Sequence, residues 1–488
     1  MIIKSKIIKN TIIMTAVNLI MRSAGVYFNS YLTSRIGTGG IGLFQLVMSV
    51  YSMAVTFSTA GIRLAVTRAT VEIITKHRYD LKKSVAFCIT YAGLCGTFIG
   101  FLLLLLSNLI GINLINNPET VLPLKILSFS LPFVAMSSAL GGLFTAIGKI
   151  PQYSAVQMLE QAFKISVIIY MFSKNKNTEV FNSCVIIVSG MTASEIFSFI
   201  LSSLLSLKST GKSDDKKSII NPLSFFRVAL PDSVGTCVRS VLLTAEHLLI
   251  PKSLNKNSNV NALSVYGMIH GLVMPILLYP SAVLTSFSGL LIPELAKKSE
   301  LNDHKGINET VEKNLKRTFI FSIICSFIFW IFSDNFAVLF CKNKEAAMYI
   351  KILSPLVPIM YTDTVTDGML KGLDQQAYSM RYNIIDSAVC VLLVIFVLPK
   401  YSVKGYIMIL YVSELLNFFL SLNRLTTVCE IRFFRAHEAG NSTFFRLKKC
   451  LNAHKECGYR TYRVRMKRSQ GPLSFRRTIR IQDLHELR

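Results

Sequence analysis

The sequence lacks the residue patterns that hold metal ions or disulfide frameworks. It has ten cysteines in 488 residues, scattered mostly inside long apolar segments, with no CxxC pair among them. Zinc sites and small disulfide-bonded domains need closely or regularly spaced cysteines. We therefore predict free thiols, with no metal centre and no cofactor.

Charged residues are also scarce. Asp, Glu, Lys and Arg make up 16% of the chain, whereas soluble domains carry about 25%. Apolar residues make up 51%, and the mean hydropathy is +0.47. This composition excludes an ordinary soluble domain and is typical of a protein with many membrane spans.

Apolar runs long enough to cross a bilayer as helices recur along the chain. The first has no small-residue cleavage site after a short core, so it is a retained span rather than a signal peptide. We predict an all-α polytopic membrane protein. Its twelve predicted spans cover about 7–32, 41–66, 84–110, 121–147, 152–173, 181–207, 225–251, 262–293, 316–341, 346–371, 376–398 and 403–424.

The basic residues, 53 against 27 acidic ones, collect in every second connection between these spans. The connection after span two contains Arg68, Lys76, Arg78, Lys82 and Lys83, whereas the 108–120 connection has no Lys or Arg. The positive-inside rule then places both termini in the cytoplasm. Because membrane topology accounts for where the basic residues lie, we predict membrane lipid and not nucleic acid as a partner.

An internal repeat divides the chain. The segments LKILSFSLPF (124–133) and IKILSPLVPI (350–359) align without gaps, and the register continues to Glu160 and Asp386. Six spans separate the copies, so both have the same orientation. We predict two pseudo-symmetric, parallel six-helix bundles around a central cavity, which is a transporter architecture.

Four segments follow from this division. The predicted domains are a lobe at 1–207, a cytoplasmic linker at 208–224, a second lobe at 225–425 and a basic, disordered cytoplasmic tail at 426–488. In the tail Arg replaces Lys as the commoner basic residue, and no run could span a membrane. The tail either binds anionic lipid or, as we favour, replaces a lost native hairpin through a frameshift.

An arginine lies at the centre of the first span, in LIMRSAG (19–25). A charge there costs about 2.5–3.5 kcal/mol, so the protein must compensate Arg22. Arg239 lies in VRSVL (238–242), in the first span of the second lobe. Two guanidinium groups that face one cavity would bind an anion such as a phosphate.

Polar residues at helical spacing extend this predicted site. They share a face of span one or span two, and the candidates besides Arg22 and Arg239 are Asn18, Asn29, Gln45, Ser49, Ser52, Thr56 and Arg63. Ser and Thr in membrane helices also bond to their own backbone, so the span-two residues either line a cavity or pack. Similarly, Glu160 and Lys164 on span five could satisfy each other.

Carboxylates in the second lobe are candidates for ion coupling. They are Glu246, Asp363, Asp367 and Asp386. Three of them have a structural alternative: Glu246 could neutralise Arg239, and Asp363, Asp367 and Lys371 are four residues apart in turn and could satisfy one another. His270, beside two prolines in span eight, could titrate or be purely structural.

Three segments carry a family likeness. Residues 37–68 (GTGGIGLFQLVMSVYSMAVTFSTAGIRLAVTR), 265–300 and 367–387 resemble spans two, eight and ten to eleven of the stage V sporulation protein B-like flippases. These belong to the multidrug/oligosaccharidyl-lipid/polysaccharide (MOP) exporter superfamily. The chain departs from relatives at Arg63, where they usually have proline, and in lacking a final two-span hairpin.

The resemblance implies a function. We expect a monomeric flippase of the plasma membrane, not an enzyme, that moves an undecaprenyl-diphosphate-linked oligosaccharide by alternating access, in sporulation. The diphosphate would bind Arg22 and Arg239, assisted by Arg63. One alternative is a cation-coupled multidrug exporter, which would need an acidic cavity. Another is a membrane enzyme of envelope polysaccharides, which would need a large outer loop with clustered carboxylates or histidines.

Overall fold

The computed structural model describes residues 2–76, 81–174, 180–209, 222–254 and 261–429, which are helical throughout except for short turns. The predicted all-α class is therefore confirmed. Most of the predicted linker and the tail from residue 430 onward lie outside the described residues, as does the side chain of Asn18. Long apolar segments fold this way because a helix satisfies its own backbone groups where no water is available.

The described residues form seventeen α-helices, some of them joined by π-helical or 3-10 turns. In the first half these are α1 (Ile2–Thr59), α2 (Ile62–Lys76), α3 (Leu81–Leu109), α4 (Val121–Ser128), α5 (Leu131–Ala146), α6 (Ile150–Lys174) and α7 (Val180–Ser209). In the second half they are α8 (Pro222–Leu254), α9 (Ala262–Tyr266), α10 (Met274–Leu277), α11 (Ser281–Glu300), α12 (His304–Ile331), α13 (Ser333–Phe336), α14 (Glu345–Leu353), α15 (Val357–Gly372), α16 (Gln376–Phe396) and α17 (Leu398–Val428).

Within these ranges, eight helices are long and apolar enough to cross a membrane, or up to ten if each of two bent helix pairs is one span. The first, Leu19–Ile74, has 56 residues and covers the second predicted span and the later part of the first. Its direction changes at Gly37, whose φ of +70° breaks the helix. Predicted span ten is divided between α14 and α15. The structure is consistent with twelve spans, and the number itself stays a prediction.

The internal repeat is visible in the backbone. Both copies break a span after a serine whose Oγ donates to the carbonyl three residues earlier: Ser128 at 2.6 Å and Ser354 at 3.0 Å. The helix after each break starts with a proline in its first turn, Pro132 in α5 and Pro358 in α15. The sequence match therefore reflects a shared local structure.

The same register holds at the next connection. The last residues of α5 and α15 are 226 positions apart, and so are the first residues of α6 and α16. Between them lies one left-handed residue in each copy, Gly148 with φ +71° and Asp374 with φ +59°. Spans four and five are thus a structural copy of spans ten and eleven.

The two halves make a close backbone contact where α1 crosses α9 and the π-helical turn Gly267–Val273. A Cβ added to Gly42 would clash with the backbone carbonyl of Leu263, and one on Gly267 would clash with the backbone of Thr38. The hydroxyls of Thr38 and Ser264 also hydrogen-bond across this contact. We call this region the α1–α9 contact.

Replacing Gly42 by alanine should therefore loosen the α1–α9 contact. We expect Gly42→Ala to lower the thermal stability of the detergent-solubilised protein, because overpacking costs about 1–3 kcal/mol. Gly39→Ala is the matched control, since nothing lies within 4 Å of a Cβ at that position. Equal melting temperatures for the two variants would contradict the close approach.

Candidate functional site

A cavity of about 710 Å³ lies beside Arg22, between α1, α6 and α7 of the first half and α10 and α11 of the second. None of the described residues that line it is Asp or Glu. Its charged and polar lining residues are Arg22, Asn29, Gln157, Gln161, Lys164 and Thr285. The cavity thus has two cationic groups, three carboxamides and one hydroxyl on a partly apolar wall.

Arg22 is held by the second half of the chain. Its Nη1 donates to the carbonyl of Leu278 and, at 2.9 Å, to the hydroxyl of Ser281. These bonds offset part of the cost of placing a guanidinium inside the span. Both use Nη1, so the other guanidinium nitrogens can donate to a ligand in the cavity.

Lys164 supplies the second positive charge. It projects from α6 into the cavity, and it interacts electrostatically with Glu160 and Glu195. Glu160 lies one helical turn earlier on α6, so the predicted pairing of these two residues agrees with the structure. Lys164 is among the residues that line the cavity, whereas Glu160 and Glu195 are not.

Arg239 lies elsewhere. Its side chain is exposed on α8 and is not among the residues that line the cavity. It interacts electrostatically with Asp363 and Asp386 of the second half. Among the described residues, the second basic side chain that lines the cavity with Arg22 is therefore Lys164 and not Arg239.

The serine and threonine residues predicted on span two do not line this cavity. The hydroxyls of Ser49, Ser52 and Thr56 each donate to a backbone carbonyl three or four residues earlier, at 2.8–2.9 Å. Gln45 is half-buried, with its Nε2 beside Gly271 of the second half. These bonds to the helix's own backbone are compatible with either alternative, since Ser49 is buried whereas Ser52 is exposed, and ligand binding by these residues stays a prediction.

Two further candidates have defined neighbours. Asn29 lines the cavity, and its Nδ2 donates to the carbonyl of Gly271 at 3.3 Å. Arg63 is exposed, and its guanidinium carbon lies 5.3 Å from the ring centre of Tyr153, a cation–π contact outside the cavity. Asn29 is thus placed beside Arg22, whereas Arg63 is not.

The second half has an acidic cluster formed by Glu246, Asp363, Asp386 and Glu414, which interact electrostatically across four helices. Asp363 accepts a hydrogen bond from Asn417 at 3.0 Å. Asp386 accepts from Ser413 at 2.9 and 3.1 Å. One oxygen of Asp363 is buried with no hydrogen-bond partner among the described residues.

Asp367 differs from the other coupling candidates. It forms a salt bridge of 2.7 Å with Lys371 and accepts a hydrogen bond from Ser379. The structural alternative, an ion pair one turn apart on α15, is therefore what the structure shows. In the described part of the chain, no group of three or more His, Cys, Asp or Glu residues could hold a metal ion.

Two sets of residues were not predicted as site residues, although Lys164 was considered as the partner of Glu160. Gln157, Gln161 and Lys164 have the spacing i, i+4, i+7 on α6, which places them on one helical face. Glu414 lies on α17 one turn before Asn417. The same search for polar stripes would have found both sets had it been applied to spans five and twelve.

Taken with the helical fold, a cavity between two repeated halves defines a multi-pass membrane transporter. The polysaccharide biosynthesis protein family matches residues 7–299, and the chain belongs to this family. The MatE family matches residues 257–397. Both matches agree with the MOP superfamily resemblance of the sequence.

Individual proteins are similar over most of the chain. Stage V sporulation protein B of Bacillus subtilis (strain 168) is 22% identical over 405 residues, which is 79% of this chain and 76% of that protein. The lipid II flippase MurJ in an inward closed conformation has a TM-score of 0.66 and 15% identity, covering 85% of this chain and 87% of MurJ. The Vibrio cholerae MATE transporter VcmN in the bent form has a TM-score of 0.62 and 14% identity. This match covers 87% of this chain and 97% of VcmN.

The cavity should be accessible to water although its walls are membrane helices. We expect Gln161→Cys to react with a water-soluble, charged thiol reagent in membranes, because its side chain lines the cavity. Leu105→Cys is the control: Leu105 is 58% exposed on a helix that we expect to face lipid. Reaction is measured above the background of the unsubstituted chain. Equal labelling of the two positions would contradict an aqueous cavity.

Proposed function

We propose that the chain is a flippase for a lipid-diphosphate-linked oligosaccharide, such as an undecaprenyl-linked precursor of the cell wall. The single observation that carries this proposal is the lining of the cavity, where the described residues include Arg22, Lys164 and three carboxamides and no carboxylate. The family and its relatives support the same class of cargo. The setting in sporulation is proposed from the relative in Bacillus subtilis.

The diphosphate would bind between Arg22 and Lys164. A guanidinium donates in a fork that matches phosphate oxygens, and an ammonium adds a point charge. Asn29, Gln157 and Gln161 can donate to and accept from sugar hydroxyls. Binding at Arg239 and Arg63 remains a prediction, and in this structure both lie outside the cavity.

The prenyl chain would stay in the bilayer while the head group passes through the cavity. Each polar group left without a partner in hydrocarbon costs several kcal/mol, and a diphosphate sugar has many such groups. A polar cavity replaces the lost water contacts. This division of the cargo explains why the cavity has both cationic and apolar walls.

Arg22 also connects cargo binding to the movement of the two halves. Its Nη1 bonds to Leu278 and Ser281 join the first half to the second. A phosphate that accepts from the other guanidinium nitrogens would draw the side chain towards the cavity and lengthen those two bonds, and so weaken one contact that holds the halves together. Cargo would then favour the rocking movement required for alternating access.

The acidic cluster is the proposed place of ion coupling. Glu246, Asp363 and Asp386, together with Glu414, would exchange a cation as the halves move, whereas Asp367 is paired with Lys371. An ion gradient or the membrane potential would supply the free energy.

A cation-coupled drug exporter is the rival function within the same superfamily. Such an exporter holds cationic drugs and would need carboxylates in its cavity. The carboxylates of the second half lie outside the cavity beside Arg22, and two basic side chains line it. The lining therefore favours an anionic head group.

The proposal is tested by binding of a short-chain prenyl-diphosphate sugar to the purified protein. We expect Arg22→Gln and Lys164→Gln each to weaken binding about tenfold, because a hydrogen bond to a charged group contributes about 1.5–3 kcal/mol. Arg22→Lys should recover part of the loss, since it restores the charge without the fork. The readout is the shift in melting temperature against ligand concentration.

Exposed basic residues on α12 provide matched controls. Arg317→Gln and Lys313→Gln remove the same charges away from the cavity and should leave the affinity unchanged. The variants are then compared for rescue of a flippase-depleted strain. Unchanged affinity in both cavity variants would overturn the anion site, and preferential binding of a cationic drug would favour the exporter.

A further inference from the structure

Four aromatic and imidazole rings form a cluster in the second half, close to the α1–α9 contact. The rings of His247 and His270 are 4.9 Å apart, and Tyr266 and Tyr406 lie 5.1 and 5.9 Å from His270. The hydroxyl of Tyr266 and Nδ1 of His247 hydrogen-bond at 3.1 Å. We call these four residues the histidine cluster.

Two polar atoms of this cluster have no hydrogen-bond partner among the described residues. They are Nε2 of His270 and the hydroxyl of Tyr406, on neighbouring rings, and both atoms are buried. A buried polar atom without a partner costs about 1–3 kcal/mol, so native proteins keep few of them. Such a pair of atoms is suited to hold a water molecule or to receive a proton.

The cluster is built into the part of the second half that α1 touches. His270 lies within the π-helical turn Gly267–Val273, a kind of turn that occurs frequently at functional sites. On either side of it, Gly267 packs on the backbone of α1 and Gly271 accepts a hydrogen bond from Asn29. A change at His270 therefore acts directly on the surface that holds the two halves together.

We propose that the histidine cluster is a proton-binding site that controls the α1–α9 contact. Neutral imidazoles are compatible with the buried, closely packed surroundings of His247 and His270. A proton that passes from water to His270 creates a charge beside His247, and this charge needs hydration that the closed packing excludes. Proton binding thus favours the state in which α1 has moved away from the π-helical turn.

The residues around His270 determine whether protonation of its imidazole stabilises or destabilises the α1–α9 contact. His247 faces it from α8 and Tyr406 from α17, and Tyr266 precedes it in its own segment. His247 is the titratable group that acts electrostatically on His270. Glu246 acts on the two tyrosines. The proposal does not depend on the cargo.

The test measures closure of the α1–α9 contact against pH. Thr38→Cys and Ser264→Cys are introduced into the full chain in membranes, with a protease site in the 208–224 connection, so that a disulfide joins the halves after cleavage. The chain without these two cysteines gives the background. The cross-linked fraction is measured at about pH 8 and at about pH 5. We expect its fold-decrease between these two pH values to be about three times that of the same chain with His270→Gln.

His304→Gln is the matched control, because His304 is exposed at the start of α12 and should keep the full pH response. Any fall that remains in His270→Gln reports thiol chemistry alone. Equal pH profiles with and without His270 would overturn the proposal. If the chain with His270→Gln does not cross-link at any pH, the same measurement is made with His247→Gln. Loss of the pH response then supports the site, and an unchanged response refutes it.

Discussion

The cost of a charge inside a membrane helix is the constraint on which this structure depends. Arg22 cannot be left without partners at the centre of the first span, and its own helix has no backbone acceptor to offer. The acceptors come from Leu278 and Ser281 in the second half. Arg22 thus links the two halves by hydrogen bonds, and the same side chain lines the polar cavity in which a ligand can bind.

Much of this arrangement could be predicted from the sequence, and the reasons differ from one feature to the next. The repeat was visible because a helix break with a serine, a proline and a left-handed residue constrains sequence as well as backbone. The importance of Arg22 was visible because the energetic penalty is local to one residue. Both are properties of short segments.

The partners of charged groups were harder to predict, because they depend on which helices meet. Arg239 resembles Arg22 in its sequence context, yet it interacts with carboxylates of α15 and α16 and does not line the cavity beside Arg22. The spacing of Lys164 and Glu160 predicted their pairing, but only the packing of α6 shows that Lys164 also lines the cavity. Hydroxyl stripes are similarly ambiguous, since Ser49 and Thr56 bond to their own helix.

The repeated helix break bears on how the protein arose. The same serine–carbonyl bond and the same left-handed connection occur in both halves, so they were present before the gene was duplicated. The single-copy ancestor already had a broken fourth span, and two of its chains inserted in the same direction would have had to associate to enclose a pathway. After fusion the two copies were free to diverge, as they have at the shared left-handed position, which is Gly148 in one half and Asp374 in the other.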